Sequence, residues 1–192
     1  MQAITKITLT GDLGSGKSAT SKILCEKTGF SYLSTGQIQR KLAAEMGIDT
    51  LEMNKRADTD ASIDEKIDSV FIELNQTEEG YIVDSRLAWH FLPNSFKVYL
   101  AVDPIVAANR IVTDPSRNSE QYESANEAVA KIKARKTSEN ARFLVKYGVN
   151  CSDLDNYVLI IDTTQKSPVE VATAILEAVH AKELGASFQK SV

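Results

Sequence analysis

Gly11-Asp12-Leu13-Gly14-Ser15-Gly16-Lys17-Ser18 decides the reading of this chain, together with what flanks it. Before it, Ala3–Thr10 alternates apolar Ile4, Ile7 and Leu9 with threonine and lysine, the pattern of a strand. After it, Ser18–Lys27 carries apolar residues at helical spacing, and Gly29 stands where a helix end favours a left-handed residue. The central run fits G-x4-G-K-S/T, a phosphate-binding loop. Its glycines let successive backbone N–H groups converge on a polyphosphate without Cβ clashes. The helix that follows adds the positive end of its dipole. In such a loop Lys17 reaches the β- and γ-phosphates and Ser18 offers its hydroxyl to Mg²⁺. The expected donor-binding set is therefore Gly11, Asp12, Leu13, Gly14, Ser15, Gly16, Lys17 and Ser18, with Ala19 next in the helix. The plain alternative is a glycine-rich turn with an incidental Lys-Ser; the strand before and the helix after argue against it.

Phe30–Leu33 predicts a short second strand and Gly36–Met46 a helix that stops at Gly47. Ser62-Ile63-Asp64-Glu65 predicts a capping box opening a helix to about Asn75. Gly80–Asp84 and Phe96–Val102 are apolar, β-branched-rich runs of strand length. Asp103-Pro104 pairs a cap residue with proline at the first helical position, for a helix to about Val112. Thr113–Glu123 is polar and predicts a loop. Ser124-Ala125-Asn126-Glu127 predicts a second capping box at the head of a long helix to about Tyr147. Tyr157–Asp162 predicts a fifth strand, Ser167-Pro168-Val169-Glu170 a capped helix to about Glu183, and the tail from Leu184 is expected to fray. Strands alternating with helices imply an α/β fold of three layers, a five-stranded parallel sheet with helices on both faces. One domain spanning 1–192 is expected, with an acceptor-binding helical region at about 35–80 and a lid at about 113–142. Ligands in such folds sit at the carboxyl ends of the strands, where the candidate residues fall.

A chain of 192 residues with 43% hydrophobic content can bury one sizeable core with room for an appendage. Its net charge of −4 disfavours long nucleic acid and anionic membrane as partners, so any bound anion needs a local basic cluster. Cys25 and Cys151 match no zinc or CxxC spacing and demand no oxidising compartment. The N-terminal residues lack the pattern of a secretory leader, and no apolar run approaches the ~20 residues that span a bilayer. A cytoplasmic protein is the expectation.

Three constellations point to a second anion. Ser34-Thr35-Gly36 leads into a helix with Arg40 about one turn in, where a guanidinium can fork onto a phosphate. Asp84-Ser85-Arg86 closes the third strand; an aspartate there can hold Mg²⁺ beside Ser18, and Arg86 points to the same crevice. The long helix concentrates Lys131, Lys133, Arg135, Lys136, Arg142 and Lys146 against the single acid Glu139. Arg135, Glu139 and Arg142 share one helical face, so Glu139 is expected to orient both arginines. Each feature alone has a bland reading, as a cap, a polar strand end or a solvated ladder; together they favour anion binding. Phosphoryl transfer needs such groups, because two polyanions must be aligned in line despite their repulsion and kept from water.

With those residues quoted, the chain resembles the nucleoside monophosphate kinases, and among them the short, archaeal-type cytidylate kinases. Ser34-Thr35-Gly36-x-x-x-Arg40 resembles the family's S-T-G-x-x-x-R, which implies that Thr35, Gly36 and Arg40 hold the acceptor phosphate. Asp84-Ser85-Arg86 is similar to the D/E-G-R segment whose arginine contacts the monophosphate. Arg135-x-x-Ser138-Glu139-x-x-Arg142-Phe143-x-x-x-Tyr147-Gly148 is similar to the R-x-x-S-E-x-x-R-Y/F-x-x-x-Y-G run whose lid arginines face the phosphates. Asp162-Thr163-Thr164 resembles the segment near the ATP adenine, which assigns Thr163 to the donor side. The resemblance implies ATP and Mg²⁺ as cofactors, CMP or dCMP as acceptor, Lys17, Arg86, Arg135 and Arg142 as the catalytic set, Arg86 and Glu139 on the acceptor side as well, and a monomer. Ser85 replaces the family's usual glycine, and Leu87 stands where bacterial members carry an aspartate. Base readers are expected within Lys41–Asn75, where Lys55, Arg56, Asp60, Asp64 and Asp68 are available, although Asp64 and Asp68 also suit the helix dipole. Trp89 and His90 suit core packing as well as a pocket lining. A kinase of a hydroxyl acceptor would need a carboxylate base, for which Asp84 is available. A nucleotide-driven switch would not need Arg40, Arg86, Arg135 and Arg142 together.

Overall fold

The computed structural model describes residues 3–48, 50–57, 60–113 and 125–191. Five parallel strands, β1 (Lys6–Gly11), β2 (Ser31–Ser34), β3 (Tyr81–Asp84), β4 (Phe96–Ala101) and β5 (Leu159–Asp162), lie in the order β2-β3-β1-β4-β5. The central strand β1 is buried along its whole length, as a parallel strand covered on both faces must be. Its alternation sorts the two layers. Ile7 and Leu9 join the main core with Leu24, Ile82, Val98, Leu100, Ile161 and Ile175. Thr8 and Thr10 face the other way, and their buried hydroxyls are satisfied by Ser95 Oγ at 3.3 Å and by the carbonyl of Ser85 at 2.9 Å.

The helices α1 (Lys17–Thr28), α2 (Thr35–Glu45), α3 (Thr50–Ala57), α4 (Ala61–Asn75), α5 (Ala88–Phe91), α6 (Pro104–Val112), α7 (Ala125–Tyr147) and α8 (Pro168–Glu183) complete the order. The caps of α6 and α8 follow the sequence signals: Asp103 accepts from Ile105 and Val106, and Ser167 and Glu170 form a reciprocal capping box. The α4 cap corrects the expected Ser62 box, because the helix starts at Ala61 and the Asp60 carboxylate accepts from the Ser62 N–H. Asp-x-Ser offers two adjacent capping groups, and the earlier one takes the orphan donor. Two helices escaped the sequence reading. α3 buries Met53 and Ala57 with Ala43 and Ile63 in a small core of its own, and α5 packs Ala88 and Trp89 beneath β3 and β4. The segment expected to bind the acceptor thus holds three helices among its described residues, α2 to α4. The expected Ser124 cap, and all of the expected loop after Thr113, lie outside the described residues.

The tail corrects the expectation of fraying. Phe188 packs on Phe96 with ring centroids 5.9 Å apart, Ile160 N–H donates to the Lys190 carbonyl at 2.7 Å, and Lys190 pairs with Asp155 at 3.0 Å. A lone aromatic and backbone pairing leave no periodic signal. Phe188→Ala is expected to cost about 1–2 kcal/mol in urea denaturation, from lost apolar burial and ring contact; a change near zero would return the tail to the frayed class.

Candidate active site

A cleft of about 410 Å³ opens at the carboxyl ends of β1, β2 and β3. Its floor is the loop between β1 and α1. At Gly11, with φ at 144°, a Cβ would run into the Leu100 backbone of β4, and at Gly14 it would meet the Ala107 backbone of α6 at 2.7 Å. The loop is therefore pressed against two elements and only glycine fits either place. Gly16 caps α1 with no side-chain acceptor, and the first turn of α1 holds no acid. Uncapped N–H groups at a helix start, beside Lys17, form a seat for an anion. Lys17 Nζ lies against its own loop, donating to the carbonyls of Gly11 at 3.0 Å and Asp12 at 2.8 Å. Gly11, Leu13, Gly14, Gly16, Lys17, Ser18 and Ala19 line the cleft. Asp12 and Ser15 do not: Ser15 Oγ donates back to the Asp12 carbonyl at 2.7 Å, and the Asp12 carboxylate turns toward Tyr99 and Lys136.

Ser18 Oγ donates to Asp84 Oδ2 at 3.3 Å, so the hydroxyl at the start of α1 meets the carboxylate at the end of β3. The Tyr32 hydroxyl reaches the same oxygen at 3.3 Å, and burial, then the Asp84 charge, raise its pKa, so it stays a donor. A hydroxyl and a carboxylate are hard oxygen ligands that fit Mg²⁺, which takes few protein ligands and keeps water and phosphate for the rest. Among the described residues no group of three or more His, Cys, Asp or Glu forms a denser metal cage.

On the opposite side the arginines meet the cleft. Arg86, just after β3, and Arg135, on α7, both contact Glu139, at 2.9 Å and 2.8 Å through their Nε atoms. Glu139 is largely buried, its side chain 11% exposed; desolvation pushes its pKa up, but Arg86 and Arg135 outweigh that and hold it below the ordinary carboxylate value. Arg142 adds to the lowering of the Glu139 pKa after Arg86 and Arg135, and it also lies by Asp64, Nε to Oδ2 3.8 Å, with Lys146 at 3.5 Å from the same oxygen. Helical spacing sees partners on one helix only; Arg86 arrives from another element and joins them.

Thr35 Oγ1 donates to the Asp84 carbonyl at 3.4 Å, and Gly36 leaves room for Arg40, whose Nη1 lies 3.3 Å from where a Cβ would stand. Arg40 is exposed and lines the cleft, and among the described residues it makes no hydrogen bond or ion pair. Asp64 and Asp68 also line the cleft, beside Phe71 and Tyr147. Asp64 sits in the first turn of α4 as the helix dipole favours, yet it is buried against two cations, which the dipole does not explain. Asp68 accepts from the Tyr147 hydroxyl at 2.7 Å, and burial raises its pKa against the lowering effect of that bond. Trp89 is core, as its composition suggests, and its indole N–H donates to the Arg86 carbonyl at 2.9 Å. Ser85 is buried and its Oγ accepts from the Leu87 N–H at 3.2 Å.

Thr163 is brought near the donor loop but not into the cleft wall: its hydroxyl donates to the Ala101 carbonyl at 2.9 Å. Between them stands Arg110, which the sequence reading passed over. It donates to the carbonyls of Gly14 at 3.3 Å, Thr163 at 2.8 Å and Thr164 at 3.2 Å. An arginine on an amphipathic helix has no sequence mark that separates this duty from a surface charge.

A family described as the AAA domain matches residues 7–133. The cytidylate kinase of Sulfolobus acidocaldarius is 36% identical over 181 residues, covering 93% of this chain and 96% of that protein. The chain belongs to the cytidylate kinase family. The family member of Methanocella arvoryzae is 33% identical over 173 residues, covering 90% of this chain and 95% of its own. Among solved structures, a shikimate kinase of Acinetobacter baumannii in complex with shikimate superposes with a TM-score of 0.63 at 17% identity, over 94% of this chain and 96% of that one. That likeness concerns the fold alone. Membership makes the protein an ATP-dependent phosphotransferase of the nucleoside monophosphate kinase kind. Among the described residues no helix is long and apolar enough to cross a membrane.

The Glu139 cluster has a pH signature. A carboxylate whose pKa is depressed in the fold, from its ordinary 4.5, stabilises fully above the unfolded value and loses that contribution as pH falls through the folded one. Comparing unfolding free energies of the wild-type protein and Glu139→Gln, the gap is expected to be wide near pH 6 and to narrow toward about pH 3. A gap independent of pH would mean that Glu139 is not held charged by the arginines.

Proposed function

We propose that the protein transfers the γ-phosphoryl group of ATP to CMP or dCMP, giving the diphosphate. The observation that carries this reading is that Arg40, Arg86, Arg135, Glu139 and Arg142 line the same cleft as the uncapped start of α1. One cleft with main-chain donors on one side and guanidinium groups on the other suits two phosphate-bearing ligands placed end to end. In this reading Gly11–Ser18, with Ala19 beside them, receive the donor's polyphosphate, and Lys17 leaves its loop carbonyls for the β- and γ-phosphates. Ser18 and Asp84 would hold Mg²⁺, which supplies charge neutralisation between the β- and γ-phosphates.

Thr35, Gly36, Arg40 and Arg86 take the acceptor phosphate, while Arg135 and Arg142 stabilise the charge that develops on the moving group. Glu139 orients Arg86 and Arg135. Thr163 contributes on the donor side through its link to Arg110. A monophosphate acceptor is already an anion and needs no general base, which agrees with Asp84 being engaged by Ser18 and Tyr32. Cytosine presents an amino donor, and the carboxylates of Asp64 and Asp68 on the cleft wall suit it. Residues of about 35–80 form the acceptor region in this proposal, and about 113–142 the lid.

A coupled ADP assay with CMP, dCMP, UMP, AMP and other deoxynucleoside monophosphates tests the assignment. CMP and dCMP are expected to give the highest kcat/KM, and Arg40→Ala to raise the acceptor KM on the order of tenfold or more while ATP binding stays near normal. Preference for a non-nucleotide alcohol such as shikimate, or the same slow ADP release with every acceptor, would overturn it.

A further inference from the structure

Asp12 is an acid inside an anion-binding loop. The loop that directs its main-chain donors toward an anion also carries a carboxylate, one residue from Gly11 and five from Lys17. Left alone, that charge repels a polyphosphate from close range. The structure pairs it. Lys136 Nζ lies 2.6 Å from Asp12 Oδ1 and 3.1 Å from the Tyr99 hydroxyl, and Tyr99 donates to the same Asp12 oxygen at 3.0 Å. Three elements therefore meet at one carboxylate oxygen: the donor loop, β4 through Tyr99, and α7 through Lys136.

Both ends of the contact bear on the site. Asp12 presents its carbonyl to Lys17 and to Ser15, so its backbone is part of the loop's shape. Lys136 follows Arg135 directly and precedes Glu139 by one helical turn, so whatever fixes Lys136 fixes the helix segment that carries the arginine cluster. We propose that Lys136 is a positioning residue for phosphoryl transfer: its ion pair with Asp12 cancels the carboxylate within the donor loop and holds α7 where Arg135 and Glu139 face both phosphates. The inference rests on Gly11–Ser18 receiving the donor.

The protonation states agree with this role. Burial works to lower the Lys136 pKa, but the bonds to Asp12 and Tyr99 outweigh it, so the ammonium stays charged. Burial and the Asp12 charge raise the Tyr99 pKa, so its hydroxyl remains a donor to Asp12. Side chains of Lys136 and Asp12 are 34% and 21% exposed, and partly exposed pairs contribute little to stability. Loss of this pair belongs in function more than in melting temperature.

The test uses Lys136→Met, Lys136→Arg, Asp12→Asn and the Lys136→Met/Asp12→Asn double variant. Three quantities are read: the dissociation constant of a fluorescent ATP analogue without acceptor, kcat at saturating ATP and best acceptor, and the thermal midpoint. Lys136→Met is expected to weaken the analogue and to lower kcat, each on the order of tenfold, with little change in midpoint. Adding Asp12→Asn removes the bare carboxylate, so the double variant regains binding to within about threefold of wild type while kcat stays low, because α7 is still untethered. Lys136→Arg keeps most of both. Unchanged binding and kcat in Lys136→Met, or a binding loss that the double variant does not relieve, or losses that only follow a lowered midpoint, would overturn the proposal. If the wild-type protein phosphorylates no monophosphate, the acceptor assignment fails, and the analogue titration still decides the role of Lys136.

Discussion

Two guanidinium groups do not sit side by side in a partly buried cleft unless something negative lies between them. Here it is the Glu139 carboxylate, with one oxygen toward Arg135 and the other toward Arg86. Removing one partner of such a buried cluster typically costs about 3–5 kcal/mol, because the remaining charges lose their counterpart. The cluster also joins two elements from different layers, since Arg86 follows β3 and Arg135 belongs to α7. Trp89 reinforces the β3 side by donating to the Arg86 carbonyl. The rest of α7 follows the same logic, reaching the donor loop through Lys136 and α4 through Arg142, Lys146 and Tyr147. A helix with an excess of cations is thereby stitched to acids of the β1–α1 loop and of α4.

That arrangement explains how a net-acidic chain can assemble an anion site. Lys131 and Lys133 stay on the exposed side of α7, whereas Arg135 and Arg142 are held over the cleft by Glu139 and Asp64, and Lys136 pairs with Asp12 behind it. Such pre-alignment suits phosphoryl transfer, where catalysis is mostly positioning and electrostatic stabilisation. The fold by itself does not choose the acceptor, as the shared architecture with a shikimate kinase at 17% identity illustrates. In the proposed function that choice falls to side chains such as Arg40, Asp64 and Asp68 on the cleft wall.

Much of this was legible in the sequence because the relevant signals are local. The strand-loop-helix unit at Gly11–Ser18 is written in consecutive residues, and the alternation of strands with helices sets a parallel sheet. Caps with two reinforcing signals, as at Asp103-Pro104 and Ser167-Pro168, were placed correctly; Asp60-Ala61-Ser62 offered rival caps, and the start of α4 moved. The arginines were visible as an excess of one charge, but their partners were not. Arg86 joins Glu139 from another element, Arg110 binds carbonyls far along the chain, and Phe188 anchors the tail on Phe96. Each of these is a contact between distant segments, and helical or strand periodicity carries no information about which distant segment will arrive.

In the proposed reaction one cleft draws two polyanions together between main-chain amides and guanidinium groups. A crystal structure with a bisubstrate analogue, adenosine and cytidine joined by a chain of phosphates, tests it most directly. Guanidinium nitrogens of Arg40, Arg86, Arg135 and Arg142 are expected about 3 Å from phosphate oxygens, with the amides of Gly14 and Gly16 and the Lys17 ammonium on the other flank. Guanidinium groups turned to bulk solvent around a fully bound analogue would contradict it.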